Sequence, residues 1–395
     1  MKKIRRAIVI LIILFIVNVA LLVINLTKAY NNENNLVNNE AESKQGVTAG
    51  IPEFSCMKKL PDISVHDENT KKEVFPRLYG QLDSLATIVI EVDEGNALLE
   101  VSAEIEDFTQ KYSETVYVRD KERVELLIKP NLLKRDISLD SYKDTYFHYK
   151  VEDSNTGNVI KEENIPIKLM GDRDIINYDS KNKELALHNY LSFLTPESGV
   201  VDEIIGNAAH NLVDLSKGKY NGFAGYQYDK SVQEDATYYQ ILAIEKTISD
   251  MGVLYDSGNY TSGNANENLQ KVRLPYEVYE SKLGNCVELS LLLSSILVNE
   301  RMHCFLLFFP GHCQVAVETG KNTGEYFIVE TTMLQVTNKM KLYSDYDGNK
   351  IDSLITYMNR EGLYQYLTAN DIKNVIDCDM ADVLGFQYVN DGNDF

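Results

Sequence analysis

The stretch from Leu283 to Ser295, LGNCVELSLLLSS, sets one thiol at the head of an otherwise apolar segment. Asn285 is a residue type that caps helix N-termini, and Glu288 three positions later completes a capping box, so Cys286 falls in the first helical turn. There the helix dipole and the unpaired N–H groups favour the thiolate, which is the nucleophilic form. Gly284 removes side-chain bulk just before the sulfur and is expected to let a substrate carbonyl approach. The competing reading is an inert buried thiol, because cysteine is among the most buried residue types. A base close to Cys286 would decide between the two.

Of the six histidines, His66 falls in a polar tether, His148 among predicted strands, and His188 and His210 in a first helical part. His303 and His312 follow Cys286 in the same apolar region. His303 lies in a helix-to-strand turn, where a histidine is usually solvated or capping. His312 follows Pro310-Gly311 and begins a strand, which puts it at a sheet rim within reach of a helix terminus. A Cys-His pair works better with a third group that holds the imidazole in one tautomer. If the strands flanking Gly320 to Gly324 pair with Thr319 opposite Glu325, then Gln314 faces Glu330, and Glu330 is a same-face diagonal neighbour of His312 at about 7 Å. A slip of one residue would turn Glu330 to the other face.

The elements that must position these residues follow from periodicity. Residues 75–175 alternate apolar and polar in short runs such as Thr87 to Val92, Leu98 to Ile105 and Tyr146 to Val151, separated by turn-formers, which predicts an antiparallel β-sandwich of Ig-like type. From 176 to 395 the pattern becomes helices followed by neighbouring strands. Val201, Ile204, Ile205, Ala208 and Leu212 keep helical spacing, and Ser231-Val232-Gln233-Glu234 reads as a capping box for a helix that Gly252 ends. Phe305 to Phe309, Cys313 to Val317 and Tyr326 to Val329 read as strands, and Leu363 to Phe386 is apolar at helical spacing around Cys378. The class is α+β.

Residues 1–29 hold Lys2, Lys3, Arg5 and Arg6 ahead of an apolar run from Ala7 to Leu26. At about 1.5 Å per residue this run is long enough to span a bilayer with the rest of the chain on the extracytoplasmic side; a cleaved signal peptide is the alternative. Residues 30–74 are polar and read as the tether. A formal charge of -20 excludes a broad nucleic-acid footprint and electrostatic attachment to anionic lipid. The five cysteines are too scattered for a disulfide framework, and their odd number leaves one thiol unpaired. His303, Cys304, His312 and Cys313 lack the spacing of a zinc knuckle, and Asp345-Tyr346-Asp347-Gly348-Asn349 lacks the glycine and glutamate positions of a calcium loop. No metal and no cofactor is expected.

Gln270 to Pro275, then Gly284-Asn285-Cys286-Val287-Glu288-Leu289, then Pro310-Gly311-His312, then Val329-Glu330-Thr331-Thr332 together resemble the transglutaminase-like superfamily over about the last 200 residues. The resemblance implies a papain-like fold with Cys286 as nucleophile, His312 as base and Glu330 as the orienting acid, where the family more often has aspartate. By analogy with the glutamine of papain-like enzymes, Gln270 is the candidate side-chain donor of an oxyanion hole whose other donor is the Cys286 N–H. Cys313 alternates away from His312 and is assigned to the core. Animal transglutaminases use a tryptophan at the oxyanion, and this chain has none, which weighs against protein cross-linking. The implied activity is hydrolysis of a peptide or isopeptide bond in surface proteins or cell-wall peptide. Acyl transfer to an amine and a catalytically silent envelope scaffold are the alternatives.

Overall fold

Two sheets share the first apolar core because their strands bury every second residue. In β4 (Ala97–Ile105), Leu99, Val101, Ala103 and Ile105 point inward while Glu100 faces solvent. The computed structural model describes residues 61–384 with breaks at 134–138, 140, 177, 180–183, 258–268, 334–353, 371 and 373. The predicted membrane anchor and the Asp345 to Asn349 loop lie outside the described residues. Among the described residues, no helix is long and apolar enough to cross a membrane.

The remaining strands of this part are β1 (Asp62–Glu68), β2 (Glu73–Val74), β3 (Ala86–Glu94), β5 (Tyr112–Val118), β6 (Arg123–Ile128), β7 (Lys143–Asp153) and β8 (Val159–Leu169). They are ordered β1-β3-β6 in one sheet and β2-β8-β7-β4-β5 in the other. Ile88, Ile90, Ile128, Phe147, Tyr149, Ile165 and Ile167 fill one core drawn from both sheets. Neighbours run antiparallel except β2 and β8, which are parallel. The sheet begins earlier than expected: β1 lies within the stretch assigned to the tether, and His66 stands opposite Val89 in it. Two inward apolar residues, Ile63 and Val65, suffice there because β3 supplies the backbone partners.

Arg77 joins this part to the second. It is buried, donates from Nε to Asp172 O at 2.9 Å and from a terminal nitrogen to Ser192 O at 3.3 Å, and lies over the Phe193 ring. The second part runs β9 (Asp174–Ile176), β10 (Tyr178–Asp179), β11 (Glu184–Leu185), α1 (Gly199–Leu215), α2 (Gln233–Asp250), β12 (Leu254–Tyr255), β13 (Leu269–Lys271), α3 (Pro275–Ser281), β14 (Leu283–Gly284) and α4 (Cys286–Asn299). It continues through β15 (Cys304–Phe309), β16 (His312–Glu318), β17 (Tyr326–Val329), β18 (Ile355–Met358), α5 (Arg360–Ala369), β19 (Asn374–Asp377) and α6 (Met380–Val383). The chain is therefore a mixed α+β protein.

Helix α4 is buried on all sides from Cys286 to Leu297, as apolar residues distributed around its whole circumference require; Glu288 and three serines are buried with them. It packs on an antiparallel sheet ordered β18-β17-β16-β15-β19. In α1, Val201, Ile204, Ala208 and Leu212 are buried as their spacing predicts. Two local readings are corrected. The predicted capping box at Ser231 does not form: both the N–H and the hydroxyl of Ser231 donate to Asp229 Oδ1, and α2 starts from Val232 without a side-chain cap. Leu363 to Phe386 is not one helical stretch, because after α5 the chain turns into β19 and pairs with β15.

Glu245 stands in the interior of α2 with no exposure, and both carboxylate oxygens lack a hydrogen-bond partner among the described residues. Burial pushes its carboxyl up to about 8, and the charge of Glu330 adds to that. A carboxyl raised by folding binds its proton more tightly in the native state, so it lowers stability as pH climbs from its ordinary value of 4.5 through about 8. Glu245→Gln should match the wild type in urea denaturation at mildly acidic pH and exceed it above the titration. Equal midpoints at both pH values would contradict this reading.

Candidate active site

The first turn of α4 is built as its sequence predicts. Asn285 is extended at the N-cap, its side-chain oxygen accepts the Glu288 N–H at 3.0 Å, and Glu288 Oε2 accepts the Asn285 N–H at 2.9 Å. The structure adds a partner: the Arg273 N–H donates to Glu288 Oε1 at 2.8 Å and its guanidinium to Glu288 Oε2 at 3.1 Å. Glu288 is buried, so its charge is held by one cation and two backbone donors. Removing one partner of such a buried pair costs roughly 3–5 kcal/mol. Arg273 thus anchors the segment before α3 to the helix that carries the thiol.

Gly284 has a different role from the one expected. A Cβ there would lie 3.0 Å from Leu289 Cδ2 and 3.1 Å from Val278, so the missing side chain makes room for α3 to pack against α4. Cys286 is 1% exposed.

His312 is the first residue of β16 and its side chain is 29% exposed. The β16–β17 register is the expected one, with Val315 opposite Val329, Glu318 opposite Tyr326 and the Thr319 N–H on Glu325 O. Continued to the rim, it brings Glu330 beside both Gln314 and His312. Glu330 Oε2 lies 2.9 Å from His312 Nε2 and accepts the Gln314 side-chain amide at 2.6 Å, while Oε1 accepts the Thr332 N–H at 3.1 Å and the Thr332 hydroxyl at 2.5 Å. Tyr366 of α5 donates to Gln314 Oε1 at 2.7 Å. The carboxylate is therefore fixed from two segments, β16 and the turn after β17, and α5 steadies Gln314 in its place. On its other side the His312 ring adjoins the Cys286 thiol, close enough for the two groups to act on each other.

Sequence reasoning brought Cys286, His312 and Glu330 into one cluster, and they are in contact here. Gln270 is not part of that cluster. It is buried in β13, its carbonyl oxygen accepts the Tyr190 hydroxyl at 2.7 Å, and among the described contacts none joins it to Cys286. It lines a cleft of about 360 Å³ with Arg173, Lys271, Arg273 and Glu288, on the capping-carboxylate side of the helix start. Tyr255 was not foreseen. Parallel pairing of β12 with β14 sets it opposite Gly284, close enough that the charges of Cys286 and Glu330 act on it after burial in raising its phenol. A two-residue strand leaves no periodic signal that could have marked it.

The four residues weighed as a zinc set separate into different surroundings. His303 lies 3.4 Å from Glu318 Oε2 and 3.1 Å from Asp377 Oδ1, Cys304 meets Cys378, and Cys313 is buried as expected. His303, Asp377 and Asp379 present ligand atoms within 4.8 Å of one another; in the structure the imidazole takes its carboxylate neighbours as hydrogen-bond and ion-pair partners. In comparisons with known proteins, the chain matches no family model and no curated sequence.

The electrostatics follow from these contacts. The neighbouring Cys286 thiol, then the Glu330 carboxylate, raise His312 to about 9 against the effect of burial. Burial would raise Glu330, but its bonds from His312, Thr332 and Gln314 outweigh that and hold it at about 2. The imidazolium thus contributes stability that is full below its ordinary value of 6.5 and lost as pH rises through about 9. The carboxylate contributes stability that is full above 4.5 and lost as pH falls toward about 2. Histidine NMR should find His312 titrating near the raised value, and both Cys286→Ala and Glu330→Gln should bring it down. An unshifted His312 in both variants would contradict the assignment of causes.

Proposed function

We propose that the chain is a membrane-anchored, extracytoplasmic cysteine enzyme with an Ig-like sandwich and a transglutaminase-like domain of papain-like fold, and that it hydrolyses amide bonds in protein or cell-wall peptide. The observation that carries this reading is the His312 ring, held between the Cys286 thiol and a Glu330 carboxylate that is itself fixed by three side chains. The composition of residues 1–29 and the net charge of -20 support an anchored protein with its bulk in solution.

In this mechanism the pair exists as thiolate and imidazolium, with Glu330 stabilising the cation and holding the ring orientation. The thiolate attacks the amide carbon, and the oxyanion receives two donors. One is the Cys286 N–H, which has no intrahelical acceptor in the first turn; the other is the hydroxyl of Tyr255, which stands opposite Gly284. His312 gives its proton to the departing amine. It then takes a proton from water, whose oxygen cleaves the thioester, releasing the acid and restoring the thiolate–imidazolium pair. The burial of Cys286 means that substrate reaches the sulfur from the partly exposed His312 side or after local opening.

Turnover should be assayed with the full chain on Nα-acylated peptide amides and a peptide digest of cell wall. Cys286→Ala should lose about 10³-fold or more in kcat, and Tyr255→Phe about 10²–10³-fold, the size of a lost oxyanion donor. The alkaline limb of kcat/KM should fall near the His312 value of about 9 and move lower in Glu330→Gln. Undiminished turnover in Cys286→Ala would overturn the proposal. Incorporation of an added primary amine into product would assign acyl transfer in place of hydrolysis.

A further inference from the structure

Cys304 opens β15, and Cys378 directly follows β19, the edge strand of the five-stranded sheet. The register between them pairs Phe305 with Asp377 and Leu306 with Ile376. Continued by one rung it sets Cys304 opposite Cys378, and the Cys378 N–H donates to Cys304 O at 3.0 Å. Opposed residues on a hydrogen-bonded antiparallel rung have Cα atoms about 5.5 Å apart and side chains on one face. That separation lies inside the roughly 4.4–6.8 Å that a disulfide spans. Both side chains are fully buried in the core that holds Leu306 and Cys286, and the two thiols are near enough to act on each other. Cys286 is engaged by His312, and Cys313 stands on β16 opposite Phe308. On the edge beside this rung His303 bridges to Asp377 at 3.1 Å, which braces β19 against β15 independently of the sulfurs.

We infer that Cys304 and Cys378 are a disulfide pair, closed by thiol–disulfide exchange with a small-molecule or protein disulfide, that fastens β19 and α6 to the sheet carrying His312. One protein thiolate attacks a sulfur of the oxidant, forming a mixed disulfide and releasing one thiol. The second protein thiolate then displaces the oxidant's other half. Two S–H bonds are lost, one S–S bond forms, and the oxidant disulfide leaves as two thiols. In the structure both residues are thiols, which is the reduced member of the pair. Contact with Cys378 and burial both push the Cys304 thiol up, so exchange is slow in the folded chain and proceeds before β19 docks or while it is lifted. The closed loop contains His312 and Glu330, so the link restricts the unfolded segment that carries both residues. The inference does not depend on the enzyme reading.

The test is to fold the purified full chain in reduced glutathione and, separately, in an oxidised-glutathione-rich couple, alkylate the remaining thiols in denaturant and map the peptides by mass spectrometry. The oxidised sample should yield one linked peptide pair joining Cys304 to Cys378, with Cys286 and Cys313 alkylated. Its Tm should exceed that of the reduced sample by roughly 5–10 °C. Adding the same couple to already folded reduced protein should form the link many-fold more slowly than folding in its presence. Cys304→Ser and Cys378→Ser should each abolish both the link and the Tm difference. If both cysteines are alkylated after oxidative folding, or if the link joins another pair, the inference fails; the wild-type comparison decides this even if a variant does not fold.

Discussion

The hydrogen bond between His312 Nε2 and Glu330 Oε2 exists because β16 and β17 pair with Val315 opposite Val329. Side chains alternate across a strand, so a slip of one residue would send Glu330 to the opposite face together with the apolar set that now packs on α4. Burial of Val315, Val317, Phe327 and Val329 therefore enforces the same register that the polar cluster needs. The core selects the pairing, and the pairing delivers the carboxylate to the imidazole. Thr332 and Gln314 then fix the carboxylate, and Tyr366 fixes Gln314.

The thiol reaches the same point by a separate route. Helix α4 is anchored along its length by burial and at its N-terminus by Glu288, which accepts from Asn285 within the helix start and from Arg273 outside it. Gly284 lets α3 approach that start, and Ser290 contacts both Cys313 O and the Thr331 hydroxyl at 3.4 Å. Helix and sheet are thereby tied one turn beyond Cys286. Proximity of this kind is what converts a weak encounter of groups into an effectively unimolecular step.

Much of this was legible in the sequence where the determining interactions are local. The Asn285–Glu288 cap spans four residues, the Pro310-Gly311 turn fixes where β16 begins, and the hairpin from Thr319 to Glu325 sets a register that can be counted outward to Glu330. The illegible features come from contacts between distant segments. Arg273 meets Glu288 across α3, and Tyr255 meets Gly284 through a parallel pair of two-residue strands. The stretch after Leu363 keeps helical spacing, yet pairing with β15 draws Asn374 to Asp377 into an edge strand, a case of tertiary context overriding local preference. The polar alternation in β1 looked like tether because its stability resides in β3. Gln270 was named by analogy of position, and its side-chain oxygen accepts the Tyr190 hydroxyl.

The claim on which the proposed function rests is that His312 activates Cys286. It is tested most directly by the rate at which iodoacetamide alkylates Cys286 in the folded full chain between about pH 5 and pH 10, the range over which thiol and imidazole titrate, in the wild type and in His312→Ala. Burial slows both proteins alike, so the shape of each profile carries the information. The account predicts that the wild type keeps a rate at about pH 6 within a few-fold of its plateau, whereas the variant loses rate steadily as pH falls in the manner of an ordinary thiol. Profiles that superimpose would contradict it.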